Sequence, residues 1–176
     1  MRKLLLAIVA VALFAGLAMA QLNQTGTVNI NVPVGGVFTM GLAPVSGSTI
    51  NYPTLSPGDI DATTGSVNIT VCSNHKNSVW YLQVHQNNVL TDAAIPDFIP
   101  SANFTHTSTG GTGIRADGAA TPFAGSAATF YTCAAAERKN LPGGTTITQA
   151  MQLTIPNDQA AGTYINTLTY TLTVAP

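Results

Sequence analysis

The sequence predicts an all-β protein whose antiparallel strands form a β-sandwich. Apolar residues recur at every second position in several short runs, which is the periodicity of half-buried strands. Pro, Gly, Asn and Asp separate these runs, and no stretch after residue 20 has the pattern of a helix of ordinary length. Seven or more short strands joined by such turns are typical of a sandwich.

The first 20 residues are predicted to be a signal peptide and not part of the fold. Arg2 and Lys3 precede the apolar run 4–15, and the small-residue site Ala18-Met19-Ala20 follows it. The apolar run is short for a membrane span, and no second apolar stretch of spanning length follows. We therefore expect one domain, residues 21–176, that is exported to the extracellular cell surface and has no transmembrane span.

Charge is scarce in this sequence. Charged residues make up 7% of the chain, against about one-quarter in a typical globular domain. Acidic residues outnumber basic ones after residue 20, so the chain is not basic enough to predict nucleic acid as a partner. Thr, Ser, Asn and Gln provide the polarity instead, which suits an extracellular β protein.

In the first half of the chain, four alternating runs are predicted as strands with one apolar face each: residues 26–34, 37–42, 66–72 and 79–85. A turn of Ser, Asn, His and Lys separates the last two runs, and we expect them to form a hairpin. A connection rich in Ser, Gly, Pro and Asp precedes them and is expected to wrap the surface. Alternation places Cys72 on the face opposite the inward residues of its strand.

The second half contains the longest alternating runs. Residues 87–128 lack clear periodicity, and we expect a long irregular region there, of the kind that is often functional. Residues 129–133 are predicted as a short strand and 134–139 as one helical turn. The runs 145–155 and 164–174 follow, separated by a turn of Pro, Asn, Asp and Gly. We expect these two runs to pair as the central hairpin of an immunoglobulin-like sandwich.

The only two cysteines, Cys72 and Cys133, are predicted to form a disulfide. An exported chain reaches an oxidising compartment, where paired cysteines are the usual outcome. Two unconnected thiols are the alternative. A zinc site is disfavoured, because structural zinc prefers clustered pairs of ligands and Cys133 has no ligand nearby in the sequence.

No pattern in the sequence predicts catalysis. Glu137, the only Glu, stands beside Arg138 and Lys139 and is expected to be a solvated charge. The histidines are scattered and expected at the surface: His75, His85 and His106. A set of aspartates is expected to stabilise turns and not to bind calcium: Asp59, Asp61, Asp92, Asp97 and Asp117. We therefore expect a protein that is not an enzyme and has no metal and no cofactor.

The sequence resembles the WxL family of bacterial cell-wall-binding surface domains. A Trp-x-Leu motif stands at Trp80 and Leu82, and the related Tyr-x-Leu stands at Tyr170 and Leu172, ahead of a final Ala-Pro. The resemblance extends over nearly all of the chain after residue 20. It implies attachment to the envelope through noncovalent contacts with peptidoglycan or another envelope polysaccharide, in company with other surface proteins. Strand alternation alone predicts instead that the motif residues are core residues.

A second function from a different class stays open, that of a subunit of an extracellular filament. The end of the sequence also resembles the spore-coat-U-like pilins. Residues 21–34 alternate like a strand near the terminus, and such a strand could complete the sheet of another copy. A carbohydrate-binding accessory module is a third possibility. A filament subunit should have a detached N-terminal strand or an open groove, whereas a wall-binding domain should be self-complete.

Overall fold

The computed structural model describes residues 29–45 and 47–175. The chain divides between Val34 and Gly35 into two units, and all strands belong to the second unit. The predicted signal peptide lies outside the described residues. Of the predicted first strand, residues 29–34 are described and are not part of a strand. Among the described residues, no helix combines the length and hydrophobicity that crossing a membrane requires.

The fold is all-β, as predicted, and every strand pairing is antiparallel. Two 3-10 turns, Ser101–Asn103 and Ala135–Glu137, are its only helical elements within the described residues. The strands are β1 (Phe38–Ala43), β2 (Ile60–Asp61), β3 (Ser66–Ser73), β4 (Tyr81–Gln86), β5 (Leu90–Asp92), β6 (Asp97–Ile99), β7 (Phe104–Gly110), β8 (Ile114–Arg115), β9 (Thr121–Pro122), β10 (Ala128–Thr132), β11 (Thr145–Thr154), β12 (Tyr164–Ile165) and β13 (Leu168–Thr173).

The strands form two facing sheets and one small sheet. The large sheet has the order β1-β3-β11-β7-β9, with β2 also paired to β11. The second sheet has the order β13-β4-β10-β8, and the small sheet has the order β12-β5-β6. Apolar side chains from the two facing sheets meet between them in one core. This arrangement confirms the predicted antiparallel sandwich, while its immunoglobulin-like detail stays a prediction.

Both predicted hairpins are wrong. β3 and β11 belong to the large sheet, whereas β4 and β13 belong to the second sheet, so each connection crosses the sandwich. The predicted strand faces are nevertheless correct, because Val67, Ile69 and Val71 are buried and Cys72 is on the other face of β3. Two strands with one apolar face each can bury those faces against each other across a sandwich as well as side by side in one sheet.

Three connections cross between the facing sheets at the same end of the sandwich, here called the crossing end: residues 74–80, 111–113 and 133–144. β1 begins at this end, because Phe38 pairs with Ser73 of β3. β13 finishes there, because Thr173 pairs with Tyr81 at the start of β4. The opposite end, here called the far end, contains β2, the small sheet and the connection 155–163.

Candidate assembly groove

The two edges of the sandwich differ in how well they are covered. The connection 111–113 joins β7 to β8, so β7 and β9 lie beside β8 and β10 at one edge. The inward residues there are fully buried, among them Phe104, Phe130 and Tyr131. We call this the closed edge. The sheet orders then leave β1 and β13 as the borders of the opposite edge.

At this opposite edge, which we call the open edge, the inward apolar side chains are only half-buried. They come in two rows, Phe38, Met40 and Leu42 on β1 and Leu168, Tyr170 and Leu172 on β13. Within the described residues, β1 pairs only with β3 and β13 only with β4. The outer backbone groups of both strands are therefore available to another strand. We call the surface that these two rows form the edge groove.

Tyr170 fixes the position of β13 over the large sheet. Its hydroxyl donates a hydrogen bond to Oε1 of Gln149, at 2.6 Å, and Gln149 is a fully buried residue of β11. Burial raises the pKa of Tyr170, and the nearby Tyr52 raises it further. The phenol therefore remains a hydrogen-bond donor at any physiological pH, which keeps this contact intact.

Gln149 is continuous with a row of buried polar side chains that leads toward the closed edge. Nδ1 of His106 is 2.9 Å from Oδ2 of Asp117, and Oδ1 of Asp117 accepts a hydrogen bond from the hydroxyl of Ser108 at 2.5 Å. The amide nitrogen of Gln149 is 3.2 Å from the same Nδ1. One nitrogen cannot donate and accept at once, and the shorter contact to a carboxylate favours donation from His106 to Asp117.

This buried row contains Ser, His and Asp, but its geometry is not that of a nucleophile and its base. The Ser108 hydroxyl and the His106 ring both bond to Asp117 and not to each other, so no contact activates the hydroxyl. His106 and Asp117 are 5% and 1% exposed. The prediction that His106 lies at the surface is therefore wrong, and Asp117, predicted as a turn residue, is buried in the connection between β8 and β9. Ser108, which the sequence analysis missed, belongs to the same row.

Glu137 is also buried, at 5% exposure, so the prediction of a solvated charge is wrong. Its carboxylate accepts hydrogen bonds from the Tyr131 hydroxyl at 2.8 Å, the Thr112 N–H at 2.6 Å and the Ala134 N–H at 2.8 Å. Its backbone carbonyl accepts the indole N–H of Trp80 at 3.2 Å. Burial, followed by the bond to Glu137, raises the pKa of Tyr131. Glu137 thus joins the crossing connections to the core at the closed edge.

The four residues that carry the WxL resemblance differ in burial, although Leu82 and Leu172 are partners on the paired strands β4 and β13. Trp80 and Leu82 are both 0% exposed, and the Trp80 ring stacks on Tyr131 with centroids 5.6 Å apart. Tyr170 and Leu172 instead line the edge groove. The first pair therefore belongs to the core, and only the second pair is open to a partner.

The predicted disulfide is not formed in this structure, because Cys72 and Cys133 are both free thiols. Cys72 is on the outward face of β3, next to Gly144. Cys133 is buried, and its sulfur accepts a hydrogen bond from the Trp80 N–H at 3.2 Å. The large sheet separates an outward side chain of β3 from the interior, so the two sulfurs cannot meet. Burial raises the pKa of the Cys133 thiol.

Aspartates at the far end stabilise turns, as predicted. Asp61 accepts hydrogen bonds from the hydroxyls and N–H groups of Thr63 and Thr64. These bonds lower the pKa of Asp61 to about 2, and the bond from the Thr64 hydroxyl has the largest effect. The Tyr164 hydroxyl lowers the pKa of Asp97 in the same way. Within the described part of the chain, no cluster of His, Cys, Asp and Glu has the geometry to hold a metal ion.

Residues 29–34 have the apolar pattern that the edge groove could accept. Ile30, Val32 and Val34 are 84%, 70% and 81% exposed, and they alternate with Asn29, Asn31 and Pro33. Three apolar residues at a spacing of two would share one face if this segment became a strand.

Comparison with known proteins adds no family to this description, because no family model matches the chain and no curated protein matches it.

Proposed function

We propose that this protein is a non-catalytic subunit of an extracellular filament, in which residues 29–34 of one copy fill the edge groove of another. The observation that carries the proposal is the presence, in one chain, of a half-open apolar groove and an exposed alternating apolar segment. Addition of a strand to a sheet edge uses both features, because the backbone provides hydrogen bonds and alternate side chains fill the groove.

The energetics are consistent with this mode of assembly but leave a narrow margin. Burying Ile30, Val32 and Val34 contributes roughly 5 to 9 kcal/mol, at about 1.5 to 3 kcal/mol for each side chain. Loss of translational and rotational freedom on association costs about 4 to 15 kcal/mol. The backbone ladder and further burial of the groove residues must therefore contribute, and a second contact between copies would strengthen the assembly.

Attachment to peptidoglycan, the function implied by the WxL resemblance, stays a prediction. Trp80 and Leu82 are fully buried, so neither can reach a polysaccharide while the core remains closed. The half-open groove and the exposed segment have no role in a self-complete wall-binding domain. These observations favour the filament subunit over the wall-binding domain.

Assembly of the purified chain 21–176 tests the proposal, with electron microscopy and sedimentation as the measurements. We expect filaments from the parent protein. Val32→Asp should disable the segment and Met40→Asp the groove, because each places a charge among apolar side chains. Asn31→Asp and Thr39→Asp are matched controls, since each neighbours a tested residue but alternates to the other side. Both controls should still form filaments.

Mixing the two disabled variants sharpens the test. Val32→Asp retains an intact groove and Met40→Asp an intact segment, so an equimolar mixture should yield dimers and no longer species. A parent protein that stays monomeric, or filaments that form equally well from both variants, would overturn the proposal. Binding of the monomer to isolated peptidoglycan, unchanged by either substitution, would favour wall attachment instead.

A further inference from the structure

We infer that the two ends of the sandwich form a complementary contact through which copies of this chain meet head to tail. The occupant of each end is the opposite end of a second copy. The inference rests on the proposed filament function and adds to it a second site, distinct from the edge groove. It is carried by the distribution of charge and of exposed apolar side chains along the sandwich.

All Lys and Arg residues in the described part of the chain lie at the crossing end: Lys76, Arg115, Arg138 and Lys139. Lys76 is in the connection 74–80, and Arg115 is in β8 and donates to the Gly110 carbonyl at 2.8 Å. Glu137 is the only acidic residue at this end, and its carboxylate is buried and hydrogen-bonded internally. The exposed charge of the crossing end is therefore positive.

The far end has the opposite charge. Its acidic residues are Asp59, Asp61, Asp92, Asp97 and Asp158. The remaining aspartate, Asp117, is buried against His106. Hydroxyl, amide and N–H groups bond to several of these carboxylates, but none of these partners carries a positive charge. The negative charge of the far end is therefore uncompensated.

One copy cannot neutralise its own ends. Among the described residues, no Lys or Arg reaches a carboxylate. The 10 residues of β11 run from one end to the other, roughly 33 Å at about 3.3 Å per residue. This separation greatly exceeds the Debye length of about 8 Å at physiological ionic strength. The two ends of one copy therefore do not compensate each other, whereas opposite ends of two copies can.

Exposed apolar side chains have the same distribution. Within 35–175, all large apolar side chains that are exposed lie at the two ends of the sandwich. The far end has Val45, Ile60, Phe98 and Ile165, and the crossing end has Ile114, Leu141 and Val174. In the small sheet, Phe98 and Ile165 are in one row on either side of Thr91. Each end thus combines apolar groups with charge of one sign, as a contact with the opposite end requires.

The direction in which residues 29–34 enter the edge groove determines which ends of two copies meet. The chain enters β1 at the crossing end, with residues 35–37 before Phe38. A segment that runs antiparallel to β13 in a receiving groove has Val34 at the far end of the receiving copy. The link from Val34 to Phe38 spans at most roughly 14 Å. This short link therefore brings the positive crossing end of the donating copy to the negative far end of the receiving copy. A segment that ran parallel to β13 would instead bring two positive crossing ends together.

Filament elongation, followed by light scattering, tests the contact. Raising NaCl from 10 to 500 mM should slow elongation of the parent on the order of tenfold or more, because the attraction between the ends is screened. At 10 mM NaCl, the double variant Lys76→Glu, Lys139→Glu should slow elongation by a similar factor. The double variant Asp59→Lys, Asp158→Lys should do the same. In a variant with all four substitutions neither end has a large net charge, so elongation should stay slow and should no longer depend on NaCl. Thr107→Lys, on the outward face of β7, is the control and should leave the rate unchanged.

The outcomes separate this contact from the groove. Elongation that is insensitive to salt and to both charge reversals would overturn the end contact and leave the filament proposal intact. If the parent forms no filaments, the filament proposal fails, and sedimentation of the Val32→Asp variant then tests the end contact. Self-association of this variant that weakens with salt and is lost when Lys76→Glu and Lys139→Glu are added would support the end contact. A Val32→Asp variant that is strictly monomeric at 10 mM NaCl would overturn the end contact.

Discussion

The closed and open edges of this sandwich have similar strands but differ in how their inward faces are covered. At the closed edge, Trp80 is fully buried against Tyr131, and Glu137 bonds the crossing connections to both. At the open edge, the inward residues of β1 and β13 are half-buried, and no strand within 35–175 covers them. One sandwich can therefore bury its inward residues completely at one edge and only partly at the other. Substitutions at the two edges should therefore affect different properties.

The largest expected difference concerns the core. Trp80→Ala should lower the free energy of unfolding by about 3 to 5 kcal/mol, because it leaves a large cavity at the closed edge. Leu172→Ala should cost at most about 2 kcal/mol, since its half-exposed side chain already contacts water. Urea denaturation at 500 mM NaCl in the Val32→Asp background, where neither the groove nor the end contact should join copies, measures both. Equal losses would contradict the distinction between the edges.

A smaller effect is expected from the buried carboxylate. Glu137→Ala leaves the Tyr131 hydroxyl and the N–H groups of Thr112 and Ala134 without their acceptor, and should cost roughly 2 to 3 kcal/mol. Glu137→Gln retains one oxygen and should cost less. Asp158→Asn, at an exposed residue, is the control and should change stability by less than about 0.5 kcal/mol. Chemical denaturation midpoints provide the measurement, and a neutral Glu137→Ala would refute the role given to the carboxylate.

Two glycines provide a matched test of packing. A methyl group at Gly113 would overlap the Thr132 carbonyl and the Tyr131 ring at the closed edge, so Gly113→Ala should cost about 1 to 2 kcal/mol through overpacking. At Gly41 in β1, the nearest atom would be the Thr70 carbonyl oxygen, at 4.0 Å. Gly41→Ala should therefore remain within about 0.5 kcal/mol of the parent. Thermal unfolding compares them, and a similar loss at both glycines would count against a difference in packing.

The smallest effect is expected from acid at the far end. Asp61 adjoins Tyr52, whose pKa is raised to about 12 by burial and by this carboxylate. Because the pKa of Asp61 falls from 3.8 to about 2 on folding, its contribution to stability is complete above about pH 4 and is lost as the pH falls toward 2. Asp61→Asn should reduce the dependence of the melting temperature on pH between 4 and 2. An unchanged dependence would indicate that other carboxylates dominate acid unfolding.

The sequence was sufficient to predict several strands and their inward faces, but not the strands within 87–128 and not the strand partners. Alternation in β3 and β11 identified Val67, Ile69 and Ile147 as inward, and all three are buried. Alternation describes a single strand, however, and contains no information on whether its apolar face meets a neighbour in the same sheet or a strand of the facing sheet. Both predicted hairpins failed for this reason.

The polar interior was missed because buried polar residues do not produce an apolar period. In β7 the inward positions after Phe104 are His106 and Ser108, set among threonines, so the strand looks like an irregular polar segment. Glu137 stands beside Arg138 and Lys139, so in the sequence it resembles part of a solvated charge cluster. Only the arrangement in space shows that donors surround each of these groups.

The bond between Tyr170 and Gln149 has a mechanical consequence for the edge groove. The half-buried apolar side chains there should tend to draw β1 and β13 together, since closer contact would remove more apolar surface from water. Movement of β13 would break the 2.6 Å bond to a buried amide, whose unpaired oxygen would then be costly. The bond therefore holds β13 in its position over β11. An incoming strand would meet a preorganised site and would not have to separate the sheets before docking.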